Sequence, residues 1–307
     1  MKVNKGAVSS KIQAGRRSTG YKESPLLFDS KVFIGIEIEL ENLDGFNCMV
    51  TQKLQPEWEE YHDHSLKLNG REFRFNNPLA GGDVIVALDK FSQCMQDTPN
   101  VYTGGNRGAT HLHFNVSDLE ISELFNVTLL SYHMEPILLS QCNQDRESNS
   151  FGVTSSHTKD WLVVLRAIAA GNLHFSSDTY KYRSIGLNSI YSKGSIEYRM
   201  FHATPNTSEV LKWINLGLEI RHVALKYTPE QLIELLSSSL ETDVTTVTNQ
   251  LFNRDIFSMV PQSRLVRTRS RMWDFIRTLA FNPIEDLELT TNVVSDFYKQ
   301  VMGGNEV

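Results

Sequence analysis

Val32-Phe33-Ile34-Gly35-Ile36-Glu37-Ile38-Glu39-Leu40-Glu41 alternates apolar and polar residues with a period of two. A strand of that pattern turns Ile34, Ile36, Ile38 and Leu40 towards a core and sets Glu37, Glu39 and Glu41 on the opposite face. Carboxylates two positions apart on a strand lie about 6–7 Å apart and repel unless positive charge sits beside them. A divalent cation or matching Lys and Arg side chains would supply it, and oxygen ligands of this kind suit Mg²⁺ or Mn²⁺. An amphipathic strand with a solvated acidic face fits the same stretch.

Strict alternation returns near residues 66–75, 110–116, 183–190 and 195–201, separated by helical spacing near 82–96, 118–141 and 158–171. That order predicts a mixed α and β domain. Asn69-Gly70, between Ser65-Leu66-Lys67-Leu68 and Arg71-Glu72-Phe73-Arg74-Phe75, is a two-residue hairpin signal. Glu72 beside Arg74 reads as a cross-strand pair, and Asp63 with Ser65 as turn formers. Thr110-His111-Leu112-His113-Phe114-Asn115-Val116 puts His111, His113 and Asn115 on one face, just after the glycine-rich stretch 103–108. Ser195-Ile196-Glu197-Tyr198-Arg199-Met200-Phe201 sets Glu197 and Arg199 together, where Arg199 offers a planar fork to carboxylate or phosphate. Acids, imidazoles and guanidinium groups thus recur on the polar faces of separate strands, as in a lined cavity.

Beyond Pro205 the alternation gives way to helical spacing, and Thr228-Pro229 with Gln231 forms a capping-box signature with proline at the first helical position. Three regions are expected: a basic flexible tail over 1–31, a mixed α and β domain over 32–225 and a helical C-terminal region over 226–307 packed on it. The 307 residues carry 30 Lys and Arg against 36 Asp and Glu, and this net charge of −6 argues against a phosphate-backbone binder. The longest apolar stretch, 161–170, contains Arg166 and is about half the ~20 residues that span a bilayer. Cys48, Cys94 and Cys142 are far apart and odd in number, which excludes a disulfide framework. With no signal-peptide pattern at the N-terminus, a cytoplasmic location is expected.

The ordered set Gly35-Ile36-Glu37-Ile38-Glu39, Asp63-His64-Ser65-Leu66, Glu72 with Asn77-Pro78, His111-Leu112-His113 and Ser195-Ile196-Glu197-Tyr198-Arg199 resembles the amidoligase family of the glutamine synthetase and γ-glutamylcysteine ligase superfamily. The likeness runs over roughly residues 32–220 and takes in Tyr132 to Glu135, Arg146 with Asn149, and Arg183 ahead of Asn188; it departs from the family pattern at Ala109 and Ser184. It implies an α+β fold with a largely antiparallel, curved sheet of about five to six strands. One polar, concave face would bind ATP and Mg²⁺ or Mn²⁺, with helices packed on the other face. It also implies metal ligation by Glu37, Glu39, Glu72, His111 and Glu197, and nucleotide or phosphate contacts from His113, Arg199, Arg183 and Arg146.

The resemblance implies an ATP-dependent ligase that joins a small-molecule or peptide carboxylate to an amine through an acyl phosphate. Glu197, Arg199 and Arg183 would be its catalytic groups, and an amidotransferase-like or cyclotransferase-like protein a fitting partner. The residues also fit a metal-dependent hydrolase built on His111, His113 and the Glu cluster, or an inactive binding module of the same fold.

Overall fold

The alternation at residues 34–40 becomes a strand: β1 (Ile34–Leu40) buries Ile34, Ile36, Ile38 and Leu40 and leaves Glu37 and Glu39 partly buried on the other face. The computed structural model describes residues 30–41, 43, 53–67, 69–96, 107–143, 146, 153–155, 160–175 and 182–281. Among them the chain is α+β, with six strands and eight α-helices. The strands are β1, β2 (Trp58–His62), β3 (Arg71–Phe75), β4 (Ala109–Asn115), β5 (Ile185–Gly186) and β6 (Ser195–His202). They form one open antiparallel sheet in the order β2-β3-β1-β4-β6-β5. The described residues divide into two compact units, one from Met1–Phe114 with Phe201–Leu218, the other from Asn115–Met200 with Glu219–Val307.

In the first unit, helix α1 (Gly82–Gln96) covers the apolar face of β1–β3. Trp58 stacks on Phe91 at 4.7 Å between ring centroids, Phe73 meets Phe91 edge-on at 5.2 Å, and Trp58 Nε1 donates to the Ala87 carbonyl at 2.9 Å. Buried aromatic rings at these separations add specific geometry to the apolar area they remove from water. Because Ile38 lies opposite Phe73, the acids of β1 and β3 share the face that α1 leaves open. Helix α5 (Thr207–Ala224) comes so close to β4 that a Cβ on Gly217 would sit 2.3 Å from the Phe114 ring.

The second unit is organised around α2 (Ile121–Ser140), which is buried along nearly its whole length. A helix apolar on every side belongs in the middle of a packed bundle. Around it lie α3 (Trp161–Ala169), α6 (Pro229–Ser237), α7 (Val244–Phe252) and α8 (Leu265–Phe281), while α4 (Asn188–Lys193) joins β5 to β6. Arg264 Nη1 donates to the carbonyls of Leu139, Ser140 and Cys142 at 3.3, 3.1 and 2.6 Å. This places a cation on the negative end of the α2 dipole. The Thr228 capping box forms as the sequence predicts, with the Gln231 amide bonded to Thr228 Oγ1 at 3.3 Å and Thr228 N–H to Gln231 Oε1 at 3.0 Å.

Three local expectations are corrected. The partner of β3 is β2, in register from Trp58↔Phe75 to His62↔Arg71, and 65–67 lies in the connecting loop. Asn69 adopts a left-handed backbone (φ 54°) but Gly70, the other central residue of the expected two-residue turn, does not, and Gly70 N–H bonds the Lys67 carbonyl at 3.1 Å. The alternation over 183–190 yields only the two residues of β5 before α4, which ends on left-handed Gly194 (φ 69°). Glu41 does not continue the acidic face: it is buried and accepts the Lys67 amide at 2.9 Å. Residues 1–29 of the expected 1–31 tail, 103–106 of the glycine-rich stretch 103–108, 282–307 of the expected helical region 226–307, Cys48 and Asn149 lie outside the described residues. Among the described residues no helix is long and apolar enough to cross a membrane.

His133, in the middle of α2, is fully buried. Thr248 Oγ1 donates to the Val244 carbonyl at 2.7 Å, so it accepts from His133 Nε2–H at 2.9 Å, and Nδ1 carries the lone pair in apolar surroundings. Burial pushes the imidazole pKa down to about 3 from 6.5. The unfolded chain therefore takes up a proton below pH 6.5 that the folded chain refuses until about 3, so stability is full above that window and falls as pH drops through it. The expected slope from this residue approaches about 1.4 kcal/mol per pH unit. In urea denaturation, His133→Gln should flatten the decline between pH 6 and pH 4; an unchanged slope would show that His133 is not its source.

Candidate functional site

The register of three strands assembles the acids and histidines of the first unit. Glu37 lies opposite Arg74 of β3 and His111 of β4, Glu39 opposite Glu72, and Gly35 opposite His113. His111 Nδ1 stands 3.2 Å from Glu37 Oε2 and 3.9 Å from Glu39 Oε1, and His113 Nε2 stands 3.4 Å from Glu37 Oε1. Gly35 makes the second approach practicable, since a Cβ there would meet the His113 Cβ at 3.2 Å. Burial pushes the Glu37 carboxyl up, but hydrogen bonds and charge from His111 and His113 outweigh it and hold the group well below the usual carboxylate range. Glu37 is therefore an anion gripped from one side by two imidazoles.

Glu39 and Glu72 face each other across β1 and β3, an arrangement that like charges oppose. Asp63 joins them from the β2–β3 loop, and one carboxylate oxygen from each of the three lies within 4.8 Å of the others. Local bonds hold Asp63 in place: its oxygens accept Ser65 N–H at 2.7 Å and Ser65 Oγ–H at 2.9 Å, while Glu41 ties down Lys67 further along the loop. Burial raises the Glu72 pKa, followed by the charge of Glu37, against the opposing pull of Arg74 at 3.2 Å. An all-oxygen donor set of three converging carboxylates, with net repulsion to relieve, fits a hard divalent cation such as Mg²⁺ or Mn²⁺. Asp63 is the member that sequence reading assigned to a turn; its appearance in the Asp63-His64-Ser65-Leu66 element was the available signal.

The remaining candidates belong to the second unit. Glu197 and Arg199 leave β6 on one side and form an ion pair of 2.5 Å, with Gly186 opposite Glu197 leaving room for its carboxylate. Arg146 is buried, and its guanidinium donates to the Met200 carbonyl at 3.2 Å and the Arg199 carbonyl at 2.8 Å. Arg183 Nη2 pairs with Asp160 at 2.6 Å, in a small cleft with Tyr132 of α2 and Val164 of α3. The structure thus brings Glu37, Glu39, Glu72, His111 and His113 together in one unit, and Glu197 with Arg199 in the other. Arg146 reaches the backbone of that pair, and Arg183 is engaged with Asp160.

Since the Glu72 charge is held unfavourably, Glu72→Gln should raise the melting temperature of metal-free protein. It should also remove most of the stabilisation that Mn²⁺ confers on the wild type through preferential binding to the folded state. Differential scanning fluorimetry with and without Mn²⁺ reads both effects, and a Mn²⁺-induced shift equal to that of the wild type would take Glu72 out of the donor set.

A scan against protein-family models finds no match to this chain, and a search of curated proteins finds no significant relative.

Proposed function

We propose that the chain is an ATP-dependent carboxylate–amine ligase that works with Mg²⁺ or Mn²⁺. The observation that carries this reading is the convergence of Glu39, Glu72 and Asp63 beside an ionised Glu37. Charges held against their own repulsion, on strands whose other face is a well-packed core, mark a site built for a cation. The order of motifs shared with the amidoligase pattern supports the choice of reaction.

In this reading Glu39, Asp63 and Glu72 hold a cation, and Glu197 is the acid of the last strand assigned to a second. The metal supplies neutralisation of phosphate-oxygen charge. Glu37 keeps its negative charge through His111 and His113, and the two imidazoles fix its orientation. The planar fork of Arg199 faces oxygens of the transferring phosphoryl group. An oxygen of the substrate carboxylate attacks the γ-phosphorus and ADP departs. The amine nitrogen then attacks the acyl carbon, the C–O bond to phosphate breaks, and the amine proton passes to solvent as the amide forms. No protein nucleophile is needed. The substrates are a small-molecule or peptide carboxylate and an amine.

A metal-dependent hydrolase is the second reading, favoured by the placing of His111 and His113 on one carboxylate. Purified full-length protein with Mg²⁺ or Mn²⁺, screened against pools of amino acids, polyamines and peptides with mass spectrometry of products, separates the two. The ligase releases ADP only when acid and amine are both present; turnover without nucleotide would establish the hydrolase instead. Glu37→Gln and Glu197→Gln should each lower ADP release by about 100-fold or more with the fold intact by circular dichroism. Arg199→Lys should lose about tenfold or more, because a point charge does not reproduce the bidentate fork. Wild-type turnover in Glu37→Gln would end this assignment.

A further inference from the structure

A buried polar chain runs from the C-terminal third of α2 to the Glu197–Arg199 pair, entirely within the second unit. Glu135 is 2 % exposed. Its carboxylate accepts the Ser155 amide at 3.0 Å, the Ser155 hydroxyl and the Ser184 hydroxyl. Ser184 in turn donates its amide to the Val153 carbonyl at 3.0 Å and accepts the Arg199 amide at 2.8 Å. From the other side, the Arg146 guanidinium bonds the carbonyls of Arg199 and Met200. The Arg199 peptide is therefore gripped at its N–H through Ser184 and at its C=O by Arg146.

A carboxylate buried in the middle of an apolar helix costs stability even when hydrogen-bonded, and apolar residues of similar volume commonly do as well or better. Burial does push the Glu135 carboxyl up, partly offset by Ser155 and Ser184. Its geometry supplies something a leucine would not: two separate segments, 153–155 and 184, are tied to one point on a rigid helix. β5 is only two residues long, so its ladder with β6 is short, and the bond from Ser184 extends the hold to the residue next to it. An arginine has to be placed to within a fraction of an ångström for a bidentate contact, so the backbone beneath it needs this hold.

We infer that Glu135 and Arg146 are positioning residues, which fix the backbone of Arg199 and thereby aim the Glu197–Arg199 pair. The functional part of this inference rests on the ligase reading; the mechanical part does not. In this assignment the Arg146 fork is used on main-chain carbonyls, and Arg199 alone of the two meets phosphate.

The test compares wild type, Glu135→Gln, Arg146→Lys and the milder Ser184→Ala, each as the full chain. Gln keeps the size of Glu but offers one acceptor oxygen to three donors, and Lys gathers its donors on a single nitrogen, without the planar fork whose Nε and Nη2 reach the two carbonyls separately. Hydrogen–deuterium exchange of a peptide spanning 195–202 should speed up by about tenfold in Glu135→Gln and Arg146→Lys, and less in Ser184→Ala, with peptides from β1 unchanged. ADP release should show kcat lowered by about tenfold or more while the KM for ATP moves by less than about threefold, because an interaction made in the transition state is the one lost. Unchanged exchange at 195–202 in variants that fold would overturn the inference whatever the activity. A rise in the KM for ATP with kcat preserved would overturn it too, returning Arg146 to a direct nucleotide contact. Faster exchange in a protein without ATP turnover would leave the positioning role standing and remove the ligase reading.

Discussion

The register of β1 between β3 and β4 is the constraint on which the first unit's chemistry depends. Side chains alternate faces along a strand, so a slip of one residue would carry Glu37 and Glu39 into the core and Ile36 and Ile38 out of it. The apolar face prevents that slip. Ile38 opposite Phe73 and Ile36 opposite Leu112 lie on the buried side, and α1 closes over β2 and β3 with Trp58 and Phe91. The large apolar residues therefore decide where the acids point, although none of them touches the site. Once the register is set, Glu39 has to face Glu72, and Glu37 has to face His111.

The two units handle charge differently. In the first, Glu37 is compensated by imidazoles and the Glu39–Glu72–Asp63 group is left with net repulsion, which gives a cation something to gain by binding. In the second, the charged groups are matched within the protein: Glu197 with Arg199, Arg183 with Asp160, and Glu135 with serine donors. Matched pairs on a bonded backbone are suited to orienting a group, whereas converging acids whose repulsion Arg74 offsets only in part are suited to collecting a metal. This division agrees with the proposed division of labour between cation and arginine in phosphoryl transfer.

The strands legible in the sequence were those whose residues alternate apolar and polar. β1, β3, β4 and β6 all have that alternation, although in β4 and β6 the polar side chains are themselves mostly buried, and their ends fall close to the expected ones. β2 was not legible, because Trp58-Glu59-Glu60-Tyr61-His62 has its one buried residue at the end and presents exposed side chains at an edge of the sheet. The Asn69-Gly70 signal located a bend but neither its kind nor its partner: only Asn69 is left-handed, the bend closes from Gly70 N–H to the Lys67 carbonyl, and pairing is fixed by which strand can bury Trp58 and Phe75 against each other. Among site residues, those on alternating strands could be found and those in loops could not. Asp63 showed only a turn signature. Glu135 was visible as a residue of a helix, but its bonds come from segments 20 and 49 positions away, which no local pattern encodes.

Arginine illustrates a more general limit. Its five donors serve a phosphate, a carboxylate or a pair of main-chain carbonyls equally well, and the sequence around it is the same in each case. Arg146, Arg183, Arg199 and Arg264 show the range: two carbonyls of β6, an aspartate, a glutamate on the same strand, and the end of a helix. Burial separates these uses. A guanidinium whose donors are spent on buried carbonyls contributes order, and removing it costs those bonds in a dry interior. One whose fork is paired to a neighbouring carboxylate can exchange that partner for an incoming anion when a cation draws the acid away. Arg146 fits the first description and Arg199 the second, so in the proposed mechanism the residue that would bind and the residue that would hold it in place are of one amino acid type.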